Sequence, residues 1–177
     1  IGIPSMIGAY LFPKIFSSFQ HLYPHLDIYL YEEGSMAIRE KLERDELDFG
    51  IVIISDASAS LQLLPMSRNQ IMACIPEKHP LAAHQSISIN DIANADLIML
   101  KEGSFLRQLV LSKIKRANIA PEIVLESNQI ETVKGLIASN VGIAFLLDFI
   151  AKGAPGIKAV PFDEPLYVDL GLAWKKD

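Results

Sequence analysis

The sequence predicts an α/β fold in which helices cover a mostly parallel sheet. Short apolar runs alternate with amphipathic stretches along all 177 residues, and this pattern is typical of repeated β–α units. Asp48–Ser55 is a continuous β-branched run, so it is predicted to be a central strand buried on both faces. The two halves of the chain share a coarse order of strand, serine-led helix, strand and helix, with a break near Cys74–Pro80. Two similar α/β units are therefore expected.

The first half is predicted to contain three strands and two helices. The strands are Ile1–Pro4, Asp27–Glu32 and Asp48–Ser55. Apolar residues recur at helical spacing from Leu11 to Leu22, which predicts a helix with one buried stripe. Pro13 fits the first turn of this helix, and Pro24 ends it. A second helix is expected to begin with Ser35 as its cap, and the polar stretch 56–60 follows the central strand.

The second half continues the alternation of strands and helices. Its predicted strands are Ile71–Pro76, Leu97–Leu100, Ile123–Glu126, Gly142–Leu147, Ile157–Phe162 and Tyr167–Trp174. A short helix is expected to open at Asn90 or Asp91. Longer helices are expected after Ser104, which can cap the first of them, and over 130–140. Ala151–Gly156 is expected to be a flexible turn.

The composition excludes several classes of protein. The 16 Lys and Arg residues are outnumbered by 21 Asp and Glu, which gives a net charge of −5 and argues against a surface that follows nucleic-acid phosphates. A single cysteine, Cys74, excludes a disulfide framework and a zinc site of paired thiolates. Its apolar strand predicts a buried side chain. No apolar run reaches the ~18 residues of a membrane span. The first residues contain no basic segment, so a secretory signal is not expected.

Metal-binding and catalytic motifs are weak in this sequence. His21 and His25 are four residues apart, but Pro24 breaks the helix that would align them. Glu32 and Glu33 are neighbours in a predicted strand, so their side chains should point to opposite faces. No phosphate-binding glycine motif and no nucleophile elbow is present. We therefore expect no cofactor, no metal and no catalysis.

A serine stands between a predicted strand and a predicted helix at four points. These serines are Ser5, Ser35, Ser104 and Ser127. In a parallel sheet all such turns lie at the carboxyl edge of the strands, where helix N-termini offer unpaired N–H groups. For each serine alone, the favoured explanation is an ordinary helix cap worth ~1 kcal/mol. Four serines at equivalent points favour a ligand site at the sheet edge.

Five segments of the chain carry a further signal. They are Pro4-Ser5 with Leu11-Phe12-Pro13, Phe19 through Tyr23-Pro24, Leu42 through Leu47-Asp48-Phe49-Gly50-Ile51, His79-Pro80-Leu81-Ala82, and Val141-Gly142-Ile143-Ala144. In this order and spacing they cover essentially the whole chain and resemble the effector-binding domain of LysR-type transcriptional regulators. The resemblance implies two Rossmann-like lobes of the type 2 periplasmic-binding-protein fold, with a ligand cleft between them. Lobe I would comprise 1–73 plus 160–177, and lobe II would comprise 74–159.

The resemblance also implies which residues contact the effector. By position these residues are Pro4, Ser5, Met6, Ser35, Ile53, Ile54, Lys101, Gly103, Ser104, Phe105, Ser127 and Asn128. Hydroxyls, helix N-termini and Lys101 favour a small organic acid as the effector, whereas Glu32, Glu33 and Glu102 oppose an anion. No arginine stands at these positions to bind a carboxylate bidentately.

The resemblance implies a cytoplasmic regulator whose DNA-binding helix-turn-helix lies outside this chain. The effector domain is expected to form a homodimer through the helices near 11–22 and 130–140, and the full-length protein a tetramer. DNA contact would come only through the missing N-terminal domain, and no membrane contact is expected. Two alternatives remain open. One is a free-standing solute-binding protein of a transporter with the same fold, and the other, less favoured for want of a nucleophile, is an enzyme on the same scaffold.

Overall fold

The computed structural model describes residues 1–56 and 59–176, except for the side chain of Asp56. The chain divides into two compact units. Unit 1 comprises Ile1–Ser67 with Asp169–Asp177, and unit 2 comprises Arg68–Val168. The chain passes from one unit to the other within two long strands, which are the fourth and the last of the fold.

Strands and helices alternate along most of the chain, as the sequence predicts. The strands are β1 (Gly2–Pro4), β2 (Tyr31–Glu33), β3 (Gly50–Ile53), β4 (Leu61–Pro76), β5 (Asp96–Met99), β6 (Glu122–Glu126), β7 (Ala144–Leu147) and β8 (Ile157–Lys175). The α-helices are α1 (Ser5–Gly8), α2 (Phe12–Leu22), α3 (Ser35–Glu43), α4 (Phe105–Arg116), α5 (Ile130–Ala138) and α6 (Asp148–Ala151). Short 3-10 turns cover Ile54–Asp56, Pro80–Ala83 and Ile89–Ile92. The predicted α/β fold class is confirmed.

Unit 1 is held together by a mixed sheet with α3 packed on it. Strand β1 pairs in parallel with β2 and with β3, and β3 pairs antiparallel with β8. Ile38 and Leu42 of α3 are fully buried against Val52 of β3 and Ala173 of β8. All four residues of β3 are buried, which confirms the predicted central strand. The prediction of a mostly parallel sheet overlooked the antiparallel return of β8.

Unit 2 contains two strand pairs and three helices. Strand β4 pairs antiparallel with β7, and β5 pairs in parallel with β6. A bridge between Leu97 and Ile143 links β5 to the segment leading into β7. Ser104 caps α4, because its Oγ accepts a hydrogen bond from the backbone N–H of Arg107 at 3.4 Å. Helix α5 ends before Asn140, which has a positive φ of 61°, so both predicted helices of this half are confirmed.

The prediction that the helix at 11–22 has a buried apolar stripe is wrong within this chain. Helix α2 exists and begins with Pro13 in its first turn, but none of its residues is buried. Ile15 is 43% exposed and Leu22 is 73% exposed. Periodicity reports an apolar face but does not say what covers it. Among the described residues of unit 1 this face is only partly covered, since Phe12, Phe16 and Phe19 are half-buried.

Several predicted strand limits are also wrong. The strand at 27–32 is reduced to Tyr31–Glu33, because its partner β1 has only three residues. Strand β4 begins ten residues before Ile71, in a mixed and largely exposed stretch that includes Pro65 and the exposed Leu64 and Met66. The two strands predicted at 157–162 and 167–174 are one strand, β8. Its continuity through Asp163 is supported by the Asp163 N–H, which donates to the carbonyl of Ile87 at 2.8 Å.

Smaller corrections concern helix starts. The short turn expected at Asn90 or Asp91 begins at Ile89, because Ser88 and Asp91 form a capping box around it. The turn expected at Ala151–Gly156 is preceded by α6, which includes Ala151. The polar stretch predicted at 56–60 lies partly outside the described residues. In the described part of the chain, no helix has the length and apolar character needed to cross a bilayer.

Candidate functional site

The predicted site residues of unit 1 lie at the carboxyl edge of its parallel strands. Pro4 is in register with Glu33 on β2, and Gly2 is in register with Gly50 on β3. The residues that follow β1 and β2 therefore emerge at the same edge of the sheet. Ser5 is half-buried at this edge, and Met6 behind it is buried.

The serines of unit 1 do not cap helices as predicted. Ser5 is the first residue of α1, whose N-cap is Pro4, and Ser35 is the first residue of α3, whose N-cap is Gly34. Neither N-cap position makes a side-chain capping bond. Ser35 is nevertheless almost fully buried, at 7% exposure. A buried hydroxyl is normally hydrogen-bonded, so Ser35 belongs to the packed part of this edge.

Ile53 and Ile54 follow the same edge from β3. Ile53 is the last residue of β3 and is buried, whereas Ile54 opens the 3-10 turn and is half-buried. They give this edge an apolar wall. Glu32 brings a carboxylate close to α1, because a Cβ added to Gly8 would lie 2.5 Å from its Oε1. The edge of unit 1 thus combines hydroxyls, apolar side chains and negative charge.

In unit 2, the structure brings Lys101, Ser127 and Asn128 together. Met99 is in register with Glu126 in the parallel pair β5–β6. The N–H of Ser127 donates to the carbonyl of Met99 at 3.0 Å. The Oδ1 of Asn128 accepts from the N–H of Lys101 at 3.0 Å. Residues that follow two neighbouring strands are therefore linked directly at the strand ends.

The segment Lys101–Ser104, which we call the contact loop, connects β5 to α4. Gly103 has a φ of +86°, a conformation that glycine adopts without strain. Ser104 then caps α4, and Phe105, the first residue of that helix, is half-buried. Lys101 and Glu102 are exposed. The loop presents an ammonium and a carboxylate to solvent beside a capped helix N-terminus.

Ser127 stabilises a turn rather than a helix end. Its Oγ accepts from the N–H of Gln129 at 3.1 Å, and Gln129, not Ser127, is the N-cap of α5. Of the two serines predicted to cap a helix, Ser104 does so and Ser35 does not. The sequence signal found the strand ends because serine is common in both caps and turns.

Sequence reasoning missed Arg107, which lies among these residues. Its Nη1 donates to the carbonyl of Leu100 at 2.6 Å and forms an ion pair with Oε1 of Glu126 at 2.6 Å. Its side chain is only 13% exposed. Leu100 and Glu126 are seven and nineteen positions from Arg107 in the chain, so no local sequence motif predicts these contacts.

The remaining candidates of the sequence do not form a reactive centre. Cys74 is fully buried in β4, and burial raises the pKa of its thiol to about 12, so the thiol stays protonated at neutral pH. Among residues 1–56 and 59–176, no three His, Cys, Asp or Glu side chains are grouped to hold a metal ion. Hydroxyls, amides and backbone N–H groups at both strand edges suit recognition of a small polar molecule.

Comparison with known proteins places these features in a family. A family model described as LysR substrate binding domain matches residues 1–177. An uncharacterised HTH-type transcriptional regulator of Bacillus subtilis, YybE, is 29% identical over 177 residues, which are 99% of this chain and 61% of the relative. The hydrogen peroxide-inducible genes activator of Haemophilus influenzae is 27% identical over 168 residues, 93% of this chain and 56% of that protein. The chain thus spans about 60% of the length of these relatives.

A solved structure shows the same fold. The regulatory domain of CcmR from Synechocystis PCC6803, in complex with 2-PG, superposes with a TM-score of 0.86. It is 24% identical in sequence, and the match covers 98% of this chain and 85% of that one. The predicted fold of two periplasmic-binding-protein-like lobes is confirmed by this likeness.

Proposed function

Because this chain belongs to the LysR substrate-binding-domain family, we propose that it senses a small metabolite and thereby controls DNA binding by a helix-turn-helix segment of the same protein. The matched relatives are transcriptional regulators, which favours this function over a transporter's solute-binding protein. Sensing without catalysis is part of the proposal. So is a cytoplasmic location, since the regulated DNA is there.

The observation that carries the proposal is the clustering of polar groups at strand ends in each unit. Ser5 and Ser35 follow parallel strands in unit 1. Lys101, Ser127 and Asn128 meet at the equivalent strand ends of unit 2. We propose that both groups contact the effector, together with Pro4, Met6, Ile53, Ile54, Gly103, Ser104 and Phe105. We propose that lobe I (1–73 plus 160–177) carries the first group and lobe II (74–159) the second.

The proposed effector is a small organic acid. The exposed ammonium of Lys101 and the N-terminal end of α4 beside it favour an anion. The structural neighbour from Synechocystis holds 2-PG, which makes 2-PG a suitable first probe for this chain. The carboxylates of Glu32 and Glu102 oppose an anionic effector.

Thiol oxidation is disfavoured as the sensing mechanism of this domain. One relative is named a hydrogen peroxide-inducible genes activator. The single cysteine of this chain is fully buried, and the pKa of its thiol is raised to about 12 by burial. Oxidation by peroxide requires an accessible thiolate, which Cys74 does not provide. Reversible ligand binding therefore accounts better for signal input.

A thermal-shift screen with 2-PG and small carboxylic acids tests the proposal. A ligand that binds only the folded state stabilises it by about 2.7 kcal/mol at one hundred times its Kd. For a domain of this size, that corresponds to a rise in Tm of about 5–11 °C. If no acid in the screen shifts Tm and calorimetry detects no binding, the proposed effector class is wrong.

The site assignment is tested by the double variant Ser5→Ala plus Ser127→Ala. We expect weaker effector binding by calorimetry and a Tm within a few degrees of the wild type, since each hydroxyl contributes about 1 kcal/mol locally. The matched control is Ser18→Ala plus Ser112→Ala, because these serines also lie one in each unit and bond helix carbonyls. Unchanged affinity in the first variant would contradict the assignment.

We also propose that the domain forms a homodimer through α2 and α5, and that the full-length protein forms a tetramer. The support is the partly exposed apolar face of α2, where Ile15 is 43% exposed and Leu22 is 73% exposed. Phe12 stacks on Phe16 with ring centroids 5.3 Å apart, and Phe19 lies 4.7 Å from Tyr23. In α5, Gly135 is exposed, and a methyl group added there would have no neighbour within 4 Å. A helix surface without bulk at its centre accepts bulky apolar side chains from a partner.

A further inference from the structure

We propose that Arg107 is the positioning residue of the contact loop: it holds the loop in its binding conformation without touching the effector. The inference rests on the proposed function, because it assigns a role within the proposed effector site. It concerns unit 2 alone, where every contact involved is made.

Arg107 holds the contact loop at both ends. Its Nη1 donates to the carbonyl of Leu100, the residue directly before the loop, at 2.6 Å. Its backbone N–H donates to Oγ of Ser104, the last loop residue, at 3.4 Å. The loop has three residues between these points, and Gly103 takes a positive φ within it. The guanidinium therefore fixes where the loop leaves β5, and the backbone N–H of the same residue fixes where the loop enters the helix.

The same guanidinium fixes the neighbouring strand end. Nη1 of Arg107 lies 2.6 Å from Oε1 of Glu126, the last residue of β6. The next two residues, Ser127 and Asn128, return to β5, because the Ser127 N–H donates to Met99 and Asn128 accepts from the Lys101 N–H. The contacts form a closed ring around the strand ends.

The ion pair between Arg107 and Glu126 is partly buried, so breaking it should cost more than breaking an exposed ion pair. The Arg107 side chain is 13% exposed, whereas Glu126 is 41% exposed. A charged donor that is largely removed from water loses its partners at a larger cost than an exposed one. The planar guanidinium reaches a carbonyl and a carboxylate at once, which a single ammonium does with poorer geometry. Loss of Arg107 is therefore expected to loosen the loop as a whole.

Amide hydrogen exchange measured by NMR tests the role without any ligand. We compare Arg107→Gln, Glu126→Gln and the double variant with the wild type, following the amides of Lys101 and Ser127. Each single variant is expected to speed exchange by roughly tenfold, as loss of a charged hydrogen bond implies. The double variant should not exchange faster than Arg107→Gln, because Glu126→Gln breaks an ion pair that Arg107→Gln has already removed. Arg116→Gln is the matched control, since Arg116 lies exposed on the same helix.

The amide of Ile75, fully buried in β4, reports whether each variant remains folded. If Arg107→Gln unfolds, Glu126→Gln decides the question, because it removes the ion pair and keeps the arginine. Exchange at Lys101 and Ser127 within twofold of the wild type in a folded variant would overturn the proposal. Equal acceleration by Arg116→Gln would also overturn it.

Titration with 2-PG separates positioning from direct contact. If Arg107 positions the loop, both Arg107→Gln and Glu126→Gln weaken binding of 2-PG. If Arg107 instead binds the anion itself, Glu126→Gln should strengthen binding, because a competing carboxylate is removed. That result would refute the positioning role. Failure of the wild-type domain to bind 2-PG would count against the proposed effector class only, since the exchange experiment needs no ligand.

Discussion

Replacing Gly142 by alanine is expected to destabilise unit 2 through one close backbone contact. A Cβ at this position would lie 2.5 Å from the carbonyl oxygen of Asp96 and 3.1 Å from its carbonyl carbon. Ordinary contact begins at 3.4 Å, so the approach is too close by 3.4 − 2.5 = 0.9 Å. Both atoms belong to the backbone, so no side chain can turn away to relieve the overlap.

The separation needed would also strain the hydrogen bonds that join β5 to the segment before β7. Ile143 donates to Asp96 at 2.8 Å, and Ile98 donates to Ile143 at 2.9 Å. Overpacking costs about 1–3 kcal/mol, and each weakened hydrogen bond adds up to about 1 kcal/mol. We therefore expect Gly142→Ala to lower the free energy of unfolding by about 2–4 kcal/mol, and Tm by roughly 5–15 °C.

Thermal and urea unfolding measure the effect, with Gly135→Ala as the matched control. Gly135 lies inside α5, and a Cβ there would meet nothing within 4 Å. The same substitution should stabilise the domain there by up to about 1 kcal/mol, through helix propensity. Unfolding at two protein concentrations separates this gain from any change in dimerisation. A Gly142→Ala variant that melts within a degree of the wild type would refute the steric argument.

Three further outcomes are expected. Ile15→Glu should convert the proposed dimer to monomer in sedimentation velocity. Gln20→Glu, also at an exposed position on α2, should not. A monomeric wild type would contradict the dimer proposal. Cys74 should react with a thiol reagent only at the rate of unfolding, because it is fully buried; rapid native labelling would contradict the burial. The pKa of this thiol is raised from 9.0 to about 12 in the folded state, so the unfolded chain releases its proton first and stability should fall between these pH values. Cys74→Ala should lose less stability over that range, and equal loss would contradict the pKa shift.

The central strand and the main helices followed directly from the sequence. Gly50–Ile53 is apolar and β-branched, so burial on both faces was the consistent interpretation. Helix α4 was located because Ser104 is a good cap and apolar residues recur behind it. These features depend on local chemistry, which the sequence displays.

Features that depend on distant partners were not predictable in this way. The exposure of α2 depends on what covers its apolar face, and the spacing of apolar residues does not identify the covering element. The first half of β4 includes exposed polar residues and Pro65, so the residue pattern did not predict that the strand begins at Leu61. Arg107 contributes through Glu126, nineteen positions away. The serines and the family resemblance predict the candidate site from the sequence, whereas the contacts of Arg107 depend on the folded chain.

The burial of Cys74 makes this domain convenient for site-specific fluorescent labelling. Its native thiol is fully buried and stays protonated at neutral pH, so it competes little for a maleimide dye. A cysteine introduced at the exposed Glu102 would then carry the dye alone. Emission from that single fluorophore would test the proposed effector binding in real time, with no other residue of this chain needing to be replaced.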